Sequence, residues 1–154
     1  MKLIDALDQL IDDRDARIKA RIQAQAAKAL ADEVERSEAL ALLDRAFGPA
    51  LEAAADAVTA KGFQASMRKS TATVVPRAAL SVLIPSQTAN CSWPESTLEF
   101  VIGRDVTITW EVWGPKGKTS LPGGFPSKVS AAEISREWVD RQILAFLTAA
   151  INVI

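Results

Sequence analysis

With 154 residues, 49% apolar and 24% charged, the chain is long enough for one domain with a buried core and too apolar to be disordered by composition. Its net charge of -1 supplies no global pull toward nucleic acid or an anionic membrane. It has no histidine and no tyrosine, which excludes histidine triads, imidazole-ligated metals and phenol acid–base chemistry.

The one cysteine, Cys91, has no internal disulfide partner, which fits a reducing compartment. The opening residues, MKLIDALDQL, acquire aspartates early and hold no long apolar run, so they do not read as a signal peptide. No stretch approaches the roughly 20 apolar residues of a membrane span. The expected location is the cytoplasm, or a particle assembled from it, with no membrane partner.

Residues 2 to 36 predict one long helix. Leu3, Leu7, Leu10 and Ile11 recur at helical spacing, and Ile18, Ile22, Ala26, Leu30 and Val34 continue the stripe. No glycine or proline interrupts it, and at about 1.5 Å per residue it is roughly 50 Å long. Arg14, Arg21 and Lys28 occupy what would be the second seam of a heptad, which argues against a long two-stranded coiled coil.

The charges are zoned. Asp5, Asp8, Asp12, Asp13 and Asp15 come first, then Arg14, Arg17, Lys19, Arg21 and Lys28, then Asp32, Glu33 and Glu35. Early acids suit the helix dipole, and Asp13 with Arg17 and Asp15 with Lys19 are spaced for i,i+4 pairs. A solvated, self-paired face is the plain reading. Arg14, Arg17, Arg21 and Lys28 also share one side of the helix, as a phosphate-binding stripe would, although the flanking acids would repel a nucleic-acid backbone. Asp8, Asp12 and Asp15 share a face too, at a spacing too generic to define a cation site.

Ser37 is placed to cap a second helix, Glu38 to Lys61, with Leu40, Leu43, Phe47, Leu51, Ala54 and Val58 on its apolar face. Gly48-Pro49 inside it predicts a kink, or a further helix opened by Pro49, because proline is tolerated only in a first turn. Residues 20 to 60 are rich in alanine, which lets helices approach closely. A helical hairpin, or packing against a partner's helices, is expected. Lys61-Gly62 is a helix stop.

Phe63, Ala65 and Met67 alternate with polar residues and predict a first strand. Pro76 to Ile84 is a second, with Ala78, Leu80, Val82 and Ile84 on one face. Residues 85 to 94 form a loop. Cys91 within it reads as inert, because a nucleophilic thiol wants a base or a cation beside it. The strongest signal follows at residues 97 to 113, TLEFVIGRDVTITWEVW. Keeping one apolar face requires Ile102 opposite Val106, Phe100 opposite Ile108 and Leu98 opposite Trp110. The loop then has three residues, Gly103 to Asp105, with Asp105 suited to a left-handed conformation. Trp113 falls on the second face and calls for cover from another element or another chain. Four sequential strands imply an antiparallel meander.

Residues 114 to 128, GPKGKTSLPGGFPSK, read as a connector. Gly117-Lys118-Thr119 matches the end of a phosphate-binding loop, but Val112 stands where the first glycine is needed and Pro122 prevents the helix that must follow. Lys116 and Lys118 remain candidates for an anion or partner contact. Ser130-Ala-Ala-Glu133 reads as a capping box. It opens a last helix whose face of Val139, Ile143, Phe146, Leu147, Ala150 and Ile154 is expected to pack on the sheet.

The expected fold class is α+β: a long N-terminal helix and an Ala-rich second helix in a hairpin, a four-stranded antiparallel meander, and a C-terminal helix on the sheet. Residues 1–61 form a helical association region and residues 62–154 the sheet with its helix, in one continuous domain. In architecture this order resembles small secretion chaperones, and architecture alone does not carry function. The expected role is that of a non-enzymatic interaction or assembly protein: a subunit of a larger assembly, an assembly chaperone or a small protein inhibitor. It needs no cofactor or metal, and forms a homo-oligomer or joins a larger complex. Its interface is expected at Ile11, Ile18, Ile22, Ala26, Leu30 and Trp113. The alternative is a nucleic-acid-associated module using Arg14, Arg17, Arg21 and Lys28.

Overall fold

The structure, a computed structural model, describes residues 2–71, 75–84, 94–114, 117–122 and 127–152. Helix comes first. Helix α1 runs without interruption over Lys2–Leu42, and its residues are mostly strong helix formers. Ser37 is passed through as an exposed helical residue. With helix formers on both sides its capping preference does not stop the chain, so the expected helical hairpin is not formed. Helix α2, Gly48–Ala60, continues the same run through a π-helical turn at Leu43–Phe47.

Pro49 accounts for that turn. It has no N–H to give, and its ring would collide with the carbonyl four residues back. The ladder widens to a five-residue step, and the Gly48 N–H donates to the Leu43 carbonyl. Gly48 suits the position because a Cβ there would lie 3.1 Å from the Leu43 oxygen. The helix ends where Lys61-Gly62 predicts. Gly62 has φ 93°, and the N–H groups of Gly62 and Phe63 donate to Thr59 and Val58. This is a Schellman cap.

Among the described residues six strands follow in one antiparallel sheet: β1 Gln64–Ser70, β2 Arg77–Leu83, β3 Ser96–Ile102, β4 Asp105–Gly114, β5 Gly117–Ser120 and β6 Lys128–Ser130. The order is β1-β2-β3-β4-β5, with β6 also beside β4. The expected four-strand meander is therefore β1 to β4 of a sheet that is widened only on the β4 side. β5 lies within the stretch read as a connector, and β6 starts at its last residue, Lys128. β4 is ten residues long, and its far edge is shared by β5 at Glu111–Gly114 and β6 at Asp105–Thr107. Gly117, at φ 105°, opens β5 opposite Gly114.

The central hairpin has the register that its alternation requires, Ile102 with Val106, Phe100 with Ile108 and Leu98 with Trp110. Asp105 is not left-handed, because no described residue other than glycine has positive φ. It is extended and pairs with Ser130 on β6, while the Gly103 N–H closes the turn on the Asp105 carbonyl.

Helix α3 spans Arg136–Ile151. Its cap is Ser135, whose Oγ accepts the Trp138 N–H at 3.1 Å. Ser130, the expected cap, makes no capping bond and instead precedes a short 3₁₀ turn. The buried Ile134 anchors the chain between turn and helix, which shifts the start by five residues.

Met1–Glu35 and Arg36–Ile154 are the two compact units of the chain. In the second, α2 and α3 pack on one face of the sheet and on each other. Phe47, Leu51, Leu80, Leu98, Phe100, Ile108, Val139 and Phe146 fill the layer between them. Phe100 is its hub, with ring centroids 4.8 Å from Phe47 and 6.1 Å from Trp138. Among the described residues, no helix is long and apolar enough to cross a membrane.

Candidate protein-interaction surface

The first unit is a single helical segment with its apolar stripe in water. Leu3, Ile4, Leu7, Leu10, Ile11, Ile18, Ile22, Leu30 and Val34 are 41–80% exposed. Together they leave on the order of 900 Å² exposed, spread along the helix and partly around it. Ala26 is exposed beside them. At 100° per residue, Leu7, Ile11, Ile18 and Ile22 fall within one narrow sector. Beyond Ile22 each i+4 step advances about 40°, so Ala26, Leu30 and Val34 wind round the helix. Of the expected interface residues, Ile11, Ile18 and Ile22 therefore share one face, and Ala26 and Leu30 trail away from it. Ile4 falls in the same sector as Ile22, at a position the sequence pattern did not single out.

The charged flanks are solvated. Arg14, Arg17, Arg21 and Lys28 are all exposed. Arg14 pairs with its neighbour Asp15 at 3.4 Å, and Gln9 donates to Asp13 at 2.9 Å. Neither expected i,i+4 pair forms, because both aspartates are engaged by these other residues. Among the described residues, no group of three His, Cys, Asp or Glu side chains is placed to hold a metal ion.

Trp113 lies in the second unit, on the sheet face opposite the helices. It is partly buried, its N–H donates to the Ser96 Oγ at 3.0 Å, and the Lys118 Nζ stands 6.0 Å from its ring centroid. Lys118 is also paired with Glu111 at 3.4 Å. Such an exposed pair contributes at most about 1 kcal/mol. Lys116 lies outside the described residues, as do Cys91 and Ile154.

The same sheet face carries an open groove of about 750 Å³, lined by Thr97, Glu99, Thr109, Glu111, Ser120, Leu121 and Pro122 among others. Its two carboxylates are tied to cations, Glu99 to Arg77 at 3.2 Å and Glu111 to Lys118. A second, apolar hollow of about 570 Å³ lies beside α3, between Trp110, Pro122, Leu144, Ala145 and Ala149. Leu144 is 66% exposed. No sequence pattern announces this hollow, because its walls come from β4, α3 and the Leu121-Pro122 corner, which are distant in the chain.

Neither a protein-family model, nor a curated protein, nor a solved structure matches the chain.

Proposed function

We propose that the chain is a non-enzymatic protein-interaction or assembly module that docks through the apolar face of α1. One observation carries this reading: the large apolar side chains from Leu3 to Val34 lie in water along a single helix. Covering such surface is worth about 25 cal/mol per Å², enough to drive association of a helix that is already formed. The second unit supplies a folded body with its own core.

A photoreactive benzophenone side chain placed at Ile22, and separately at Ala27 on the opposite side of α1, tests the reading in the cell that makes the protein. Protein adducts from position 22 and none from position 27 are expected. Equal labelling from both positions refutes docking through the stripe. Nucleic-acid adducts from Arg17 and Arg21, with no protein adduct at 22, would replace it with the nucleic-acid reading.

A further inference from the structure

We propose that α1 pairs antiparallel with α1 of a second copy of this chain, the two-fold axis crossing at the Arg14–Asp15 peptide. This rests on the reading of α1 as a docking face and names its occupant. Three pairs of its residues are symmetric about that point, while Leu10 and Ile4 fall opposite Lys19 and Gln25. Ile11 and Ile18 are equidistant from it, as are Leu7 and Ile22, and Leu3 and Ala26. Of these, Leu7, Ile11, Ile18 and Ile22 lie in one sector of the helix, and all are exposed. A two-fold pair therefore sets Ile11 against the partner's Ile18 and Leu7 against the partner's Ile22, as an isologous contact requires.

Charge favours the antiparallel direction. Residues 2–13 carry four aspartates and one lysine, a net -3, whereas residues 14–28 carry five bases and one aspartate, a net +4. Antiparallel pairing lays each acidic zone along the partner's basic zone, within about one Debye length. A parallel, in-register pair lays like on like and stacks Arg14 and Arg21 on their own copies. At the axis itself Arg14 is already neutralised by Asp15.

Size is adequate. Residues 3 to 26 span about 36 Å of helix axis, and a pair of that length buries on the order of 1,000 Å² in total, the lower bound of a specific interface. Beyond Ala26 the stripe winds off the shared face, so the contact ends there.

The test uses the full chain with Cys91→Ser, mild oxidation and sedimentation velocity. Mixing Ile11→Cys with Ile18→Cys chains should give a disulfide-linked dimer of twice the 16.5 kDa chain mass, and either variant alone should give little. Ile18→Asp should weaken the unlinked dimer at least tenfold. Ready self-linking by each single variant means parallel pairing and overturns the proposal, leaving α1 as a docking face intact. A chain that sediments as a monomer up to ~100 µM overturns the second copy as occupant, while adducts at Ile22 to a different protein would keep the docking reading.

Discussion

Replacing Phe100 with alanine should unsettle the whole second unit. Its side chain is fully buried on β3 and meets three parts of the fold: Ile108 and Ala78 lie opposite it in the sheet, Phe47 belongs to the π turn, and Trp138 to α3. A Phe-to-Ala change in a core costs about 3–5 kcal/mol. Each tilted aromatic contact accounts for about 0.5–1.5 kcal/mol of that. The loss should be near ~4 kcal/mol, a large share of the ~5–15 kcal/mol expected of a domain. Urea unfolding followed by tryptophan fluorescence is the assay. With a slope of about 1–3 kcal/mol per molar, the midpoint should fall by about 2 M. Phe47→Leu and Phe100→Leu, singly and together, should show a coupling of about 1 kcal/mol. A loss below ~1.5 kcal/mol, or strict additivity of the leucine pair, would show that Phe100 does not join the sheet to both helices.

Three smaller changes separate local mechanisms, each read by the same urea titration. Ser135→Ala should cost about 1 kcal/mol, because it removes the acceptor of the Trp138 N–H, whereas Ser130→Ala should stay within about 0.5 kcal/mol. Gly62→Ala should cost about 1 kcal/mol although a Cβ meets nothing there, because the strain is in the backbone at φ 93°. Lys118→Ala should change stability by no more than about 1 kcal/mol, since its ion pair with Glu111 and its place over Trp113 are both solvent-exposed.

Periodicity carried most of what the sequence revealed. The register of the central hairpin followed from one requirement, that Leu98, Phe100 and Ile102 share a face with Val106, Ile108 and Trp110. The stripe of α1 was legible for the same reason. Signals that rest on one or two residues were weaker. Ser37 looked like a cap and lies mid-helix, because neighbouring propensity outweighed one hydroxyl. Ser130 fitted a capping box, yet burial of Ile134 moved the helix start to Ser135. β5 and β6 have no apolar alternation to announce them. They form because β4 offers an edge to pair with, which is information held by another part of the chain. The hollow at Leu144 was hidden for a similar reason.

The π turn also acts as a phase corrector within the buried helical layer. At 100° per residue in unbroken α register, Leu51, Ala55 and Val58 would stand about 60–120° away from Leu43 around the axis. One additional residue in a single turn sets them back by about 100°, to within about 40° of it. All four are buried, as are Ala39 and Leu42 before the turn. The number of residues between Leu43 and Gly48 then matters more than the identity of the exposed ones. Substitutions at Asp44 or Arg45 keep the alignment. Deleting either one lets the ladder close in ordinary α register with Leu51, Ala55 and Val58 still in phase with Leu43, whereas inserting one more residue there turns the apolar face of α2 about a quarter-turn away from the sheet.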